Sequence, residues 1–137
     1  MIVRAVLDHV NKWTDKPCTI RLETLEKAPS EFSMSMQQLA GTVVVKKFID
    51  GSFVGAWPFA IYIRFAGVDT GKRINAVGQL DQFNSWLCNE SGLPDIGSNR
   101  TADAFEMTSL PSIAGQYEDG SVDYQAVFRL NYRQRSV

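Results

Sequence analysis

Apolar positions change their period several times along the chain, and each change marks an element. Val3, Val6, Leu7, Val10 and Trp13 recur at steps of three and four, while Arg4, Asp8, Asn11 and Lys12 fall largely elsewhere. That spacing predicts an amphipathic helix. Thr14, Asp15, Lys16 and Pro17 end it, because proline cannot continue a helix and biases Lys16 towards an extended backbone. Over residues 19–25 the period becomes two, with Ile20 and Leu22 on one side and Arg21 and Glu23 on the other, which reads as a strand. After a turn near Ala28, Pro29 and Ser30, the residues Phe32, Met34 and Met36 alternate with Ser33, Ser35 and Gln37 in a second short strand.

A β-branched run over residues 42–49 leads into Asp50-Gly51, a strong hairpin signal between two β-like runs. The partner run sets Trp57, Phe59, Ile61, Ile63 and Phe65 on one face. Pro58 cannot donate to a ladder, so the regular part of this strand is expected to begin near Phe59. Asp69 and Thr70 are N-cap candidates for a second helix with the stripe Ile74, Val77, Leu80, Phe83, Trp86 and Leu87. Gly92, followed by Leu93 and Pro94, closes it with a left-handed cap. A β-like stretch over residues 104–110 follows, and then Glu118, Asp119 and Gly120 form a turn. In the last strand Val122, Tyr124, Ala126, Phe128, Leu130 and Tyr132 share one face, opposite Asp123, Gln125, Arg129, Asn131 and Arg133.

Strands grouped together with few crossover helices predict an α+β fold. Its form is an antiparallel-rich sheet with a β-hairpin, two main helices packed on one face, and one domain over residues 1–137. Composition agrees: 45% hydrophobic and 11% aromatic residues suffice for a core, and a net charge of −1 argues against a sequence-specific nucleic-acid binder or a polybasic membrane-surface protein. No apolar run approaches the ~20 residues of a membrane span. Asp8 and His9 also interrupt the stretch that a secretion signal would keep apolar. Cys18 and Cys88 lie far apart without a CxxC, which favours two reduced, partly buried thiols over a disulfide.

Motifs for catalysis are sparse, so the expectation is a protein that is not an enzyme and carries no cofactor or metal. His9 is the single histidine and reads as a surface or half-buried helix residue. The loop Gly67, Val68, Asp69, Thr70, Gly71, Lys72 and Arg73 lacks the GxxxxGK[ST] spacing, and Arg73 stands where a magnesium-holding hydroxyl belongs. It reads as a polar entry to a helix. The acidic pairs Asp8 with Asp15 and Glu118 with Asp119 read as solvated.

Three features suggest interaction surfaces, each beside a plainer reading. Lys46 and Lys47 lie in the β-branched strand before Asp50 and Gly51, as a contact or as a guard against stray strand pairing. Arg129, Arg133 and Arg135 decorate the outward face of the last strand, either solvated or facing acidic groups of a neighbouring subunit. Met34 and Met36 sit in a Ser/Gln-rich segment, as adaptable contacts or as core residues.

The order of these local signatures resembles the small minor capsid or tail-terminator family of prophages in Gram-positive bacteria. The residues carrying the likeness are Val43 through Gly51 with their lysine–aromatic–Asp-Gly turn, Trp57 through Tyr62, the helix end Phe83, Asn84, Ser85, Trp86 and Leu87, the exit Leu93-Pro94-Asp95, and the closing strand. The resemblance implies a tail-terminator-like fold and a homo-oligomeric ring, commonly a hexamer. Such a ring stops elongation of the tail tube and offers a surface to the head. Its implied partners are the tail tube protein and a head–tail connector protein at the head–tail junction of the virion, with DNA passing through the lumen. Alternatives are a head-completion, connector or minor capsid protein and, from a different class, a small-molecule-binding domain or enzyme.

Overall fold

The computed structural model describes residues 2–25, 32–39, 43–66, 70–118 and 120–135. In chain order the elements are α1 (Ile2–Val10), β1 (Ile20–Leu22), β2 (Phe32–Gln38), β3 (Val43–Lys47), β4 (Phe53–Phe65), α2 (Thr70–Asn89), β5 (Arg100–Gln116) and β6 (Val122–Gln134). The expected turn at Ala28, Pro29 and Ser30, the Asp69 cap, Asp119 and the side chain of Thr70 lie outside the described residues.

The strands form one sheet in the order β1-β2-β4-β6-β5, with β3 beside β4 on the same flank as β2. β1 runs parallel to β2, and the other pairings are antiparallel. This is the expected α+β class. The alternating apolar sets of β4 and β6 meet in register, Trp57 opposite Leu130, Phe59 opposite Phe128 and Ile63 opposite Tyr124, so both present the same face to the helices. Trp13, just past α1, packs edge-on against Phe83 of α2 at 5.4 Å, and Phe83 packs on Phe128 of β6 at 5.4 Å. Both helices and the sheet therefore share one core.

Several boundaries depart from the pattern reading, each for a local reason. β4 starts at Phe53 and passes through Pro58, which pairs in register with Arg129. In a strand a residue's N–H and C=O point the same way. The Pro58 carbonyl accepts from Leu39 N at 3.3 Å, on the flank where β2 ends and β3 has yet to begin. The missing N–H thus faces a gap in the ladder and leaves the β6 pairing intact. β1 stops at Leu22 because Glu23 turns into the left-handed region, with φ 54°. Asn11 holds this short strand. Its side chain accepts from Ile20 N at 2.9 Å and donates to Ile20 O at 2.9 Å, standing in for a neighbouring strand.

In α2 the buried stripe is Ala76, Leu80, Phe83 and Leu87, with Val77 and Trp86 at its margins. Ile74, expected in the stripe, is 69% exposed; at 3.6 residues per turn it lies roughly 150° round the helix from that line. Gly92 caps the helix in the left-handed region at φ 74°, as expected. β5 extends well beyond residues 104–110 at both ends. Four register shifts break its alternation, and its edge position tolerates Pro111.

Candidate functional site

Sheet parity decides what faces away from the helices. The uncovered face carries Ser33 and Ser35 of β2, Tyr62 and Arg64 of β4, and Asp123, Gln125, Arg129, Asn131 and Arg133 of β6. At one end Arg64 and Asp123, opposite each other in register, form a two-pronged ion pair. Arg64 Nε donates to Asp123 Oδ1 at 2.7 Å and Nη2 donates to Oδ2 at 2.9 Å. The Tyr117 hydroxyl donates to Asp123 Oδ2 at 2.8 Å, and its ring lies 4.9 Å from the Arg64 guanidinium. Gly115 permits this fold-back, since the Tyr117 hydroxyl sits 3.0 Å from where a Cβ would be. Asp123 holds the Arg64 guanidinium above its ordinary pKa and, by accepting from Tyr117, raises that phenol as well. These groups and Glu23, Leu25, Ser35, Gln37 and Tyr62 line an open depression of about 380 Å³. Chemically it offers hydrogen-bonding groups around a neutralised pair.

The second surface is the hairpin of β3 and β4. Val43, Val44 and Val45 are 52%, 51% and 60% exposed, with Phe48 half out and Ile49 wholly so. The turn forms as Asp50-Gly51 predicts: Gly51 takes φ 91°, and Asp50 Oδ1 accepts from Ser52 N at 2.9 Å and Ser52 Oγ at 2.6 Å. Those two bonds hold the exposed Asp50 carboxyl below its ordinary pKa, the hydroxyl contributing most. Lys46 Nζ stands 5.4 Å from the Phe48 ring centre.

The expected contact residues divide between these surfaces and the core. Met34 and Met36 are fully buried opposite Ile63 and Ile61, so they fill the core and offer nothing to a partner. The cause is parity: both share the helix-facing side of β2 with Phe32, and the Ser/Gln set faces outward. Lys46, Lys47, Asp50 and Gly51 are exposed on the hairpin. Arg133 lines a depression of about 410 Å³ beside the hairpin with Phe48, Ser52, Phe53, Thr101, Gln134 and Arg135, and none of those four hairpin residues lines it. Arg129 lies apart from the hairpin and meets an acid of its own chain, with Nη2 2.8 Å from Glu106 Oε2. Arg133 does the same, with Nε 3.4 Å from Asp103 Oδ2.

Two clusters escaped the sequence reading. The Arg64–Asp123–Tyr117 group could be read only as polar positions on separate strands, because the register that joins them is tertiary. His9, expected at the surface or half-buried, is 3% exposed. It stacks on Phe105 at 5.3 Å and Trp86 at 5.8 Å. Its Nε2 lies 2.9 Å from Ser91 Oγ, and that hydroxyl also donates to Leu87 O at 2.8 Å. Nδ1 is buried with no hydrogen-bond partner. Burial, and secondarily the charge of Lys12, lowers the imidazole pKa and so favours the uncharged ring.

Cys18 and Cys88 form no disulfide and are half-buried. The Cys88 thiol donates to Asn84 Oδ1 at 3.1 Å, and burial raises its pKa, which keeps it a weak nucleophile. Among the described residues no group of three or more His, Cys, Asp or Glu side chains is placed to hold a metal ion. No protein-family model matches the chain, and no curated protein matches it in sequence.

Proposed function

We infer that this chain is a structural subunit of a phage or phage-like tail, a terminator-type protein that assembles into a ring. The ring, of hexameric size in the family it resembles, caps the tail tube, stops its growth and presents a surface to the head connector. One observation carries the reading: helices close one face of the sheet, whereas a hairpin of β-branched and aromatic residues stands exposed at its flank. Contiguous exposed apolar surface on a small domain marks a place where another protein sits. A heterologous contact that closes under rotation then makes a ring.

A small-ligand domain is the second reading, favoured by the polar depression around Arg64, Asp123 and Tyr117. The test is electron microscopy of induced lysates from the parent phage with this gene deleted. Overlong, headless tails, restored to normal length by purified protein, support the terminator. Normal-length tails beside unjoined heads point to head completion instead. Normal, infectious particles overturn both virion roles and return attention to the depression.

A further inference from the structure

We propose that copies of this chain join edge to edge, the outer edge of β3 in one copy pairing antiparallel with the outer edge of β5 in the next. The inference deepens the proposed function and rests on its self-assembly half. It is independent of what the assembly caps.

Among the described residues, no strand pairs with the outer edge of β3 or of β5, and these edges lie on opposite flanks of the sheet. Strand direction makes the two compatible. β3 and β6 both run against β4, and β5 runs against β6, so β5 points opposite to β3. A second copy placed beside the first by simple rotation therefore brings its β3 antiparallel to β5, with the uncovered faces of both sheets on the same side. Rows across the sheet fix the height of β3 relative to β5 within one copy. Val43 lines up through Ala56 and Asn131 with Ala104, and Lys46 lines up through Val54 and Arg133 with Thr101. A neighbour whose Lys46 meets Glu106 is therefore staggered along the strand from Thr101 to Glu106. That stagger seats β3 on Ala104, Phe105, Glu106 and Met107, a stretch without a bulge.

Charge selects this pairing over the symmetric ones. β3 carries Lys46 and Lys47 and no acid, whereas β5 carries Asp103 and Glu106 with one base, Arg100. Two β3 edges would set lysine against lysine, and two β5 edges would set carboxylate against carboxylate. Asp103 and Glu106 retain capacity for a second cation. Arg133 reaches Asp103 through Oδ2, while Arg129 and Asn131 converge on Glu106 Oε2, leaving the other oxygen of each carboxylate to a partner. Lys46 and Glu106 both belong to the uncovered face, by their registers with Val54 and Arg129. The contact also covers Val43, Val44 and Val45, exposed apolar residues of β3.

The experiment is sedimentation velocity on purified full-length chain from micromolar to millimolar concentration. It compares wild type, Lys46→Glu with Lys47→Glu, Asp103→Lys with Glu106→Lys, and an equimolar mixture of the two variants. Wild type is expected to associate with rising concentration, and each variant to associate at least about tenfold more weakly, a modest coupling for charges facing each other across an interface. The mixture should recover association, because every β3–β5 contact between unlike copies again opposes unlike charges. Recovery also certifies that both variants fold. If the acid-to-lysine variant fails to melt cooperatively, the lysine-to-glutamate variant decides alone. Its weakened association must then recover in part with added salt. Wild type that stays monomeric throughout, variants that associate as wild type does, or folded variants that fail to complement overturn the pairing. Rings that persist in the variants, beside overlong tails in the deletion lysate, would overturn this interface and leave the terminator role standing.

Discussion

Removing the Asp123 carboxylate tests how the uncovered face is held together. In Asp123→Ala, Arg64 loses both prongs of its ion pair, at 2.7 and 2.9 Å, and the Tyr117 hydroxyl loses its acceptor at 2.8 Å. The side chains of Arg64 and Asp123 are only 17% and 6% exposed, so water replaces little of what is lost. Breaking a buried pair by deleting one partner costs about 3–5 kcal/mol. The residual exposure of Arg64 places this case near the lower end, at ~3 kcal/mol. With an unfolding entropy of roughly 2.1 cal/mol/K per residue, that loss lowers the melting temperature of 137 residues by about 10 °C. Urea titration at constant m-value and thermal melts by circular dichroism measure both quantities. The companion variant, Arg64→Met with Asp123→Leu, replaces the pair with apolar side chains and should recover about half the loss or more, since the stranded charge is gone. A loss below ~1 kcal/mol for Asp123→Ala, the level of a surface ion pair, would refute the claim that this pair is shielded.

The remaining expectations probe backbone and core. Gly55→Ala would set a Cβ 2.9 Å from Tyr132 Cζ and 3.2 Å from Phe53 Cε2, and should destabilise by about 1–3 kcal/mol, read as a lower urea midpoint. Gly78→Ala sits inside α2 with nothing within 4 Å of the new methyl group, so it should stabilise by up to ~1 kcal/mol in the same assay. His9 has a folded-state pKa below its ordinary 6.5, so the unfolded chain binds the proton more readily. Its stabilising contribution is full above pH 6.5 and is lost as pH falls through the folded pKa, by at most about 1.4 kcal/mol per pH unit. His9→Gln should flatten that part of the pH–stability curve; an unchanged slope would assign it to other groups.

The sequence carried the fold further than it carried the surfaces, and the difference is physical. Where one face of a strand is buried and the other open, alternation survives in the residues, so β4 and β6 could be read with their faces correctly assigned. Edge strands lose that signal. β5 is half exposed on both faces and broken by bulges, and only its middle was legible. A helix stripe read at three- and four-residue steps can drift, as Ile74 did, because any apolar residue near the line joins it equally well on paper.

Contacts between distant strands are a different matter. Arg64 and Asp123 are 59 residues apart, and no local pattern says that β4 and β6 align them. His9 and Ser91, 82 residues apart, meet only because α1 and the end of α2 lie over the same stretch of β5. The residues that do announce themselves locally are the hairpin's Lys46, Lys47, Asp50 and Gly51, since a turn and its flanking charges need no tertiary partner. For that reason the outer edge of β3 can be proposed as a contact from sequence and structure together. Its opposite number on β5 becomes visible only when the sheet order leaves Asp103 and Glu106 at the other open edge.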